Sequence, residues 1–110
     1  MKFQRLSVVR LCSPDNPLPD SPDDERIQAA HLAYLAGLRD EGIIALNGPI
    51  RFKDSREFRG MSVYTVDAEE ARAYALADPA VKAGWFKIVV DSWWLPAIPV
   101  TLGNRVDIET

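Results

Sequence analysis

Residues 21–42, SPDDERIQAAHLAYLAGLRDEG, decide the fold, because they combine the signals of a helix with the chain's single histidine. Ser21 is predicted to cap this helix with Pro22 at its first position, and Gly42 is predicted to end it. Apolar residues recur every three or four positions, at Ile27, Ala30, Tyr34, Leu35 and Leu38. His31 lies within this stripe, so we expect an imidazole that faces inward and needs a hydrogen-bond partner or a cavity.

Composition restricts the classes of function. The 110 residues include 16 acidic and 13 basic side chains, a formal net charge of -3, which argues against a nucleic-acid partner or an acidic membrane surface. One cysteine, Cys12, forms no internal disulfide, and one Cys with one His does not supply the usual ligands of a zinc site. We expect a single cytoplasmic domain over 1–110, with a core at about 2–95 and an extended tail at about 96–110, without metal, cofactor or membrane segment.

The segments around the helix complete the order strand, helix, strand, strand, helix, strand. Runs rich in branched and aromatic residues predict four strands, at Lys2–Cys12, Ile43–Asn47, Gly60–Val66 and Trp85–Trp94. Asp67 and Glu70 form a capping pattern for the second helix, which ends before Pro79. This order predicts an α+β fold, a ferredoxin-like βαββαβ antiparallel sheet with both helices on one face.

The sheet face away from the helices is predicted to be apolar. Alternation along the last strand assigns Trp85, Val89 and Trp93 to that face. So much aromatic surface is unusual on a small monomer, so two sheets are expected to pack together. The sequence therefore predicts a homodimer with the form of a dimeric α+β barrel.

Two further segments are predicted to be irregular. The charged stretch Arg51–Arg59 is interpreted as a solvated hairpin connection, with an anion site at a pocket rim as the alternative. The tail after Leu95 contains prolines and a Gly-Asn pair, so it is predicted to be extended and within reach of a partner.

Three segments of the chain resemble the YciI-like (YCII-related) family. They are HLAYLAGL at 31–38, GIIALNGP at 42–49 and ADPAVKAG at 77–84, within a resemblance that spans about 2–95. The chain departs from the family at Ala80, where an aromatic residue is usual, and in its longer Pro-rich loop and tail. The resemblance implies a ferredoxin-like dimer with a His and Asp dyad, here His31 and Asp78, in a family whose members mostly have no assigned reaction.

The residues themselves support two interpretations of that pair. Asp78 continues the inward stripe of the second helix, and a carboxylate bonded to one imidazole nitrogen leaves the other nitrogen available for general acid/base catalysis. Alternatively, Asp78 only caps a helix end and satisfies a buried His31. Both residues are candidate catalytic groups.

Four residues are candidate substrate contacts. Asn47 and Gly48 offer an amide and an accessible backbone, although a tight turn before Pro49 also explains them and is the preferred interpretation. Trp85 is suited to stacking on a ring, and Tyr34 lies one turn from His31, although core packing accounts for both.

The sequence contains no nucleophile elbow, phosphate-binding glycine loop or metal-ligand cluster. We therefore expect a cofactor-independent lyase or isomerase that removes a proton next to a carbonyl, or eliminates a leaving group from a ring, in a small organic ligand. The alternative is a non-enzymatic small-ligand-binding or regulatory module in which the dyad is structural.

Overall fold

The computed structural model describes residues 1–51 and 56–109. Their elements are β1 (Phe3–Cys12), α1 (Asp24–Asp40), β2 (Ile44–Pro49), β3 (Phe58–Tyr64), α2 (Ala68–Leu76), α3 (Pro79–Lys82) and β4 (Lys87–Pro96). The four strands form one antiparallel sheet in the order β2-β3-β1-β4. This is the predicted ferredoxin-like arrangement, with α3 as one added helical turn.

β1 is one of the two inner strands of the sheet. It pairs with β3 on one side and with β4 along its whole length on the other. Alternation along β1 turns Val9 and Leu11 towards the helices, where they meet Val90 and Ile88 of β4. The core therefore lies between one face of the sheet and the helices.

The core is assembled from the apolar stripes of α1 and α2 and from strand residues on the facing side of the sheet. It comprises Val9, Leu11, Leu35, Leu38, Ile44, Tyr64, Ala71 and Ala75. Burying each of the larger aliphatic side chains contributes about 1.5–3 kcal/mol. Ala71 and Ala75 are buried four residues apart, so α2 presents small side chains to the sheet.

The start of α1 corrects one prediction. The helix begins at Asp24 with Asp23 at the N-cap position, and not at Ser21. Ser21 still stabilises the turn that precedes the helix. Its Oγ accepts from the Asp23 N–H at 3.2 Å, and its own N–H donates to Oδ2 of Asp24 at 3.0 Å. Pro22 lies in this preliminary turn. The predicted end is correct, since Gly42 has a φ of 75° that suits glycine.

The start of β4 corrects a second prediction. Trp85 precedes the strand, which begins at Lys87. The chain turns at Gly84, which has a φ of 84°. The Trp85 N–H donates to the Ala80 carbonyl at 3.0 Å, so Trp85 is bonded to the end of α3 and not to a neighbouring strand. Trp85 therefore does not join Val89 and Trp93 on the open face of the sheet. Trp93 pairs with Leu6 on that face and is 46% exposed.

Asn47, Gly48 and Pro49 also differ from the turn interpretation. All three belong to β2 and pair with Ser62, Met61 and Gly60 of β3. Cross-strand pairing extends past the point where the Gly-Pro sequence suggested a stop, because Pro49 lies on the edge strand of the sheet.

The two segments predicted to be irregular are described in part. The connection Arg51–Arg59 includes residues 52–55, which lie outside the described residues, while Phe58 and Arg59 already belong to β3. The tail adds no helix or strand over residues 97–109, and its Ala97 N–H donates to the Lys2 carbonyl at 3.0 Å. None of the described helices is long and apolar enough to cross a membrane.

Candidate active site

His31 and Asp78 form a buried hydrogen-bonded pair between α1 and the start of α3. Nδ1 of His31 lies 2.8 Å from each carboxylate oxygen of Asp78, and the residues are only 8% and 2% exposed. Because a carboxylate accepts hydrogen bonds, Nδ1 carries the proton in this contact. In the neutral imidazole, Nε2 is then an acceptor. The predicted contact between the two side chains is present.

Local structure fixes the carboxylate of Asp78. The residue is the N-cap of α3, where its extended backbone (φ -61°, ψ 128°) precedes Pro79 at the first helical position. Oδ1 accepts from the Ala80 N–H at 2.9 Å, so one carboxylate both caps α3 and holds His31. Ala80 is fully buried at the position where the family usually carries an aromatic residue. The Asp-Pro pair thus begins a new turn instead of only ending α2.

Nε2 of His31 faces a cavity of about 330 Å³. Among the described residues, every buried side-chain nitrogen or oxygen has a hydrogen-bond partner, whereas Nε2 has none there, so it is accessible and not buried. His31 lines this cavity, which makes Nε2 reachable by a ligand. The pair therefore combines a fixed tautomer with an open acceptor.

The cavity is lined by polar and apolar groups from both layers of the fold. Trp85 and Phe86 provide aromatic wall, and the Phe86 ring centroid lies 6.0 Å from that of His31. The other lining residues include Gln28, Asn47, Arg59 and Ser62 among the polar groups, and Leu11, Leu32 and Leu35 among the apolar ones. Such a cavity, apolar with a few convergent polar groups, is typical of small-molecule sites.

The structure brings together most of the predicted site residues. His31, Asn47, Gly48 and Trp85 line the cavity, and Asp78 lies behind His31. Tyr34 does not line it, because its side chain packs against the core and its hydroxyl donates to the Tyr74 carbonyl at 2.8 Å. Among the described residues, no group of three or more potential ligands is placed to hold a metal ion.

Two polar lining residues were not predicted, Gln28 and Ser62, whereas Arg59 ends the segment for which an anion site at a pocket rim was the alternative interpretation. Gln28 precedes His31 by three residues, so helical spacing already indicates a shared face. Ser62 has no comparable signal, since its position becomes informative only when strand pairing sets it opposite Asn47.

Asn47 is oriented by a neighbouring cation. Nη1 of Arg39, in the last turn of α1, donates to Oδ1 of Asn47 at 2.8 Å. An arginine only donates, so the oxygen of the amide faces Arg39 and the amide N–H groups are directed elsewhere. Within the described part of the chain, the amide N–H groups of Asn47 donate no hydrogen bond, since the bond to Arg39 is made by Oδ1.

Two tyrosines behind the pair have perturbed acidities. Burial, with a further contribution from the charge of Asp78, raises the pKa of Tyr34, and burial likewise raises the pKa of Tyr64. Both hydroxyls therefore resist ionisation in the folded chain.

These shifts predict that stability falls in alkali. A folded-state pKa above the unfolded value gives a stability that is complete below about pH 10 and is lost as pH rises through the folded pKa. Urea unfolding measured from pH 8 to 11 should show a midpoint that declines above pH 10, and more weakly in Tyr64→Phe. Equal declines in the two proteins would contradict the prediction.

Comparison with known proteins gives one family and a shared fold. The family model of the YCII-related domain matches residues 8–92. A 5-chloro-2-hydroxyhydroquinone dehydrochlorinase from Burkholderia phenoliruptrix, solved with 2,5-dihydroxybenzoquinone, is 25% identical, with a TM-score of 0.54 over 80% of this chain and 92% of that chain. A mutant of a cofactor-independent oxygenase from Streptomyces nogalater is 17% identical, with a TM-score of 0.48 over 92% of this chain and 99% of that chain. Curated protein sequences give no significant match.

Proposed function

The chain belongs to the YCII-related domain family, and on that premise we propose that it is a cofactor-independent lyase or isomerase that transfers a proton at His31. The observation that carries this proposal is the imidazole whose Nδ1 is held by buried Asp78 while Nε2 faces a cavity of about 330 Å³. A purely structural pair needs no such opening. Because the open Nε2 is within reach of a ligand in this cavity, the geometry favours a dyad that acts on the ligand over a ligand-binding or regulatory module in which the dyad is structural.

The proposed chemistry begins with His31 as general base. Nε2 accepts a proton from a C–H or O–H group of the ligand, and the electron pair left behind either expels a leaving group, as in a lyase, or takes a proton back at another atom, as in an isomerase. Asp78 is a positioning residue, because its carboxylate stabilises the imidazolium at 2.8 Å without touching the ligand. General acid/base catalysis of this kind typically contributes about 10²–10⁴-fold in rate.

The size and lining of the cavity support a ligand with one ring. A volume of about 330 Å³ lies at the lower end of the range for small-molecule sites. Trp85 and Phe86 supply aromatic surface beside His31, which suits a planar ring. We propose a ring compound that carries hydroxyl and carbonyl groups, and the ligand bound to the similar dehydrochlorinase belongs to that class.

The proposal is tested by turnover in the full chain. We would incubate it with 5-chloro-2-hydroxyhydroquinone, the compound in the name of the similar dehydrochlorinase, and with hydroxyquinones in D₂O, following chloride release and ring deuteration. His31→Gln should lower the rate by about 10²–10⁴-fold. Added imidazole should restore part of the rate of His31→Ala, which a structural role does not explain.

The matched control is Arg72→Gln, an exposed substitution on α2 that should leave the rate unchanged. Equal rates in wild type and His31→Gln would contradict a general-base role. Binding of these compounds without conversion of any of them would replace the enzyme proposal with the binding module.

We also propose that two copies form a homodimer through the open face of the sheet. Val89 and Trp93 of β4 lie on that face, and Trp93 is 46% exposed. Because a buried charge in an apolar contact is costly, Trp93→Glu should weaken association. Trp94→Glu is the control, since Trp94 is 65% exposed but alternates to the opposite face.

Light scattering measures the outcome directly. Wild type and Trp94→Glu should give about twice the 12.3 kDa chain mass, and Trp93→Glu should shift towards the single-chain mass at micromolar concentration. A wild-type protein that is monomeric at these concentrations would contradict the dimer.

A further inference from the structure

The floor of the cavity carries two polar groups to which the proposed mechanism gives no role. Asn47 of β2 and Ser62 of β3 are direct cross-strand partners, and both line the cavity. We infer that they form a donor pair that binds a ligand oxygen and stabilises the negative charge that develops on it when His31 removes the proton. This inference rests on the proposed function and adds an oxygen-binding site to it.

Ser62 supplies the first donor. The residue is 4% exposed, and within the described part of the chain its hydroxyl has no hydrogen-bond partner. Since no buried side-chain oxygen there is unsatisfied, Oγ must be reachable from the cavity that the residue lines. A nearly buried hydroxyl without a protein partner is unusual, and a ligand oxygen would satisfy it.

Asn47 supplies the second donor, and Arg39 determines which end of the amide is available. The Arg39 guanidinium takes Oδ1 at 2.8 Å, which leaves the two N–H groups of Nδ2 as donors. Asn47 pairs with Ser62 across the two strands, and both line the cavity, so the two side chains lie on the same face of the sheet. Arg39 is thus a positioning residue, because by binding Oδ1 it orients the amide of Asn47 so that Nδ2 is the group left to donate to a ligand.

The two sides of the cavity then have complementary polarity. On the helix side, Nε2 of His31 is an acceptor for an acidic proton, and on the sheet side Asn47 and Ser62 are donors for an oxygen. Donors that are already placed where charge develops stabilise a transition state more than the ground state. The ligand class that matches is an enolisable or hydroxylated carbonyl compound, with its acidic hydrogen and its oxygen at different edges of the molecule.

The test measures binding of 2,5-dihydroxybenzoquinone by calorimetry at fixed pH. Ser62→Ala and Asn47→Ala should each raise Kd by about 10-fold, as expected for the loss of a hydrogen bond to a charged oxygen. Ser92→Ala is the matched control, because Ser92 is an exposed strand serine outside the cavity, and it should bind as wild type does. Turnover should fall more than affinity in both floor variants, because the charge on the oxygen grows in the transition state.

Arg39 provides a second, independent readout. Arg39→Gln should raise Kd and lower turnover with little change in melting temperature, and Arg39→Lys should restore part of both, because lysine again offers only donors to Oδ1. A merely structural role would move the melting temperature instead.

The outcomes separate this inference from the proposed function. Wild-type affinity in both floor variants, with turnover still lost in His31→Gln, would overturn the donor pair and leave the proposed function standing. Weakened binding in the floor variants with normal turnover in His31→Gln would support oxygen binding by the pair and overturn the general base, and with it the stabilisation of charge produced by His31. Failure of wild type to bind the quinone would overturn both, since they share this ligand class.

Discussion

Asp78→Asn is expected to lower the turnover of the chain by about 10²–10⁴-fold while the fold stays intact. The asparagine carbonyl can still accept from the Ala80 N–H, which lies 2.9 Å from Oδ1 in the wild type. The amide nitrogen would then face Nδ1 of His31 and donate to it. That contact moves the imidazole proton to Nε2, so the cavity would meet a donor in place of an acceptor.

Nuclear magnetic resonance can follow this change at a single residue, because the chain has one histidine. Long-range ¹H–¹⁵N spectra should show Nδ1–H in the neutral ring of the wild type and Nε2–H in Asp78→Asn. Far-ultraviolet circular dichroism and the melting temperature serve as controls for folding. A changed tautomer with unchanged turnover would show that the reaction does not need an acceptor at Nε2.

Asp78→Ala is expected to lower the free energy of unfolding by about 1.5–5 kcal/mol. The loss of a helix cap costs about 0.5–2 kcal/mol, and a buried polar group left without its partner costs about 1–3 kcal/mol. Both losses occur together here, because the same carboxylate caps α3 and binds Nδ1 of His31.

A matched control separates the two contributions to stability. Asp67 caps α2 through the Glu70 N–H at 2.9 Å and has no histidine partner, so Asp67→Ala should show the capping loss alone. Adding His31→Leu to Asp78→Ala should recover part of the larger loss, since no unpaired imidazole remains. Urea unfolding at one protein concentration gives the free energy of unfolding of wild type, Asp67→Ala, Asp78→Ala and the double variant. Equal losses in Asp67→Ala and Asp78→Ala would show that the buried pair contributes nothing to stability.

The parts of the fold that follow from local sequence were predictable. The order of strands and helices, the inward position of His31 and the glycine stop at Gly42 depend on periodicity and capping within a few residues. The same signals predicted that α1 is capped by Ser21, whereas Asp23 is the N-cap, and that the last strand begins at Trp85, whereas it begins at Lys87. In both places a local hydrogen bond sets the structure. The Ser21 hydroxyl accepts from the Asp23 N–H in a turn before α1, and the Trp85 N–H donates to the Ala80 carbonyl at the end of α3.

The sequence by itself therefore determined the ferredoxin-like order, the family and the existence of two inward polar groups. Only the tertiary structure decided that His31 and Asp78, 47 residues apart, meet at 2.8 Å, that Nε2 opens on a cavity, and that Ser62 faces that cavity beside Asn47. The reason is physical: a helical or strand pattern assigns a residue to a face, whereas strand register and helix packing, which arise from contacts distant in sequence, decide which faces meet.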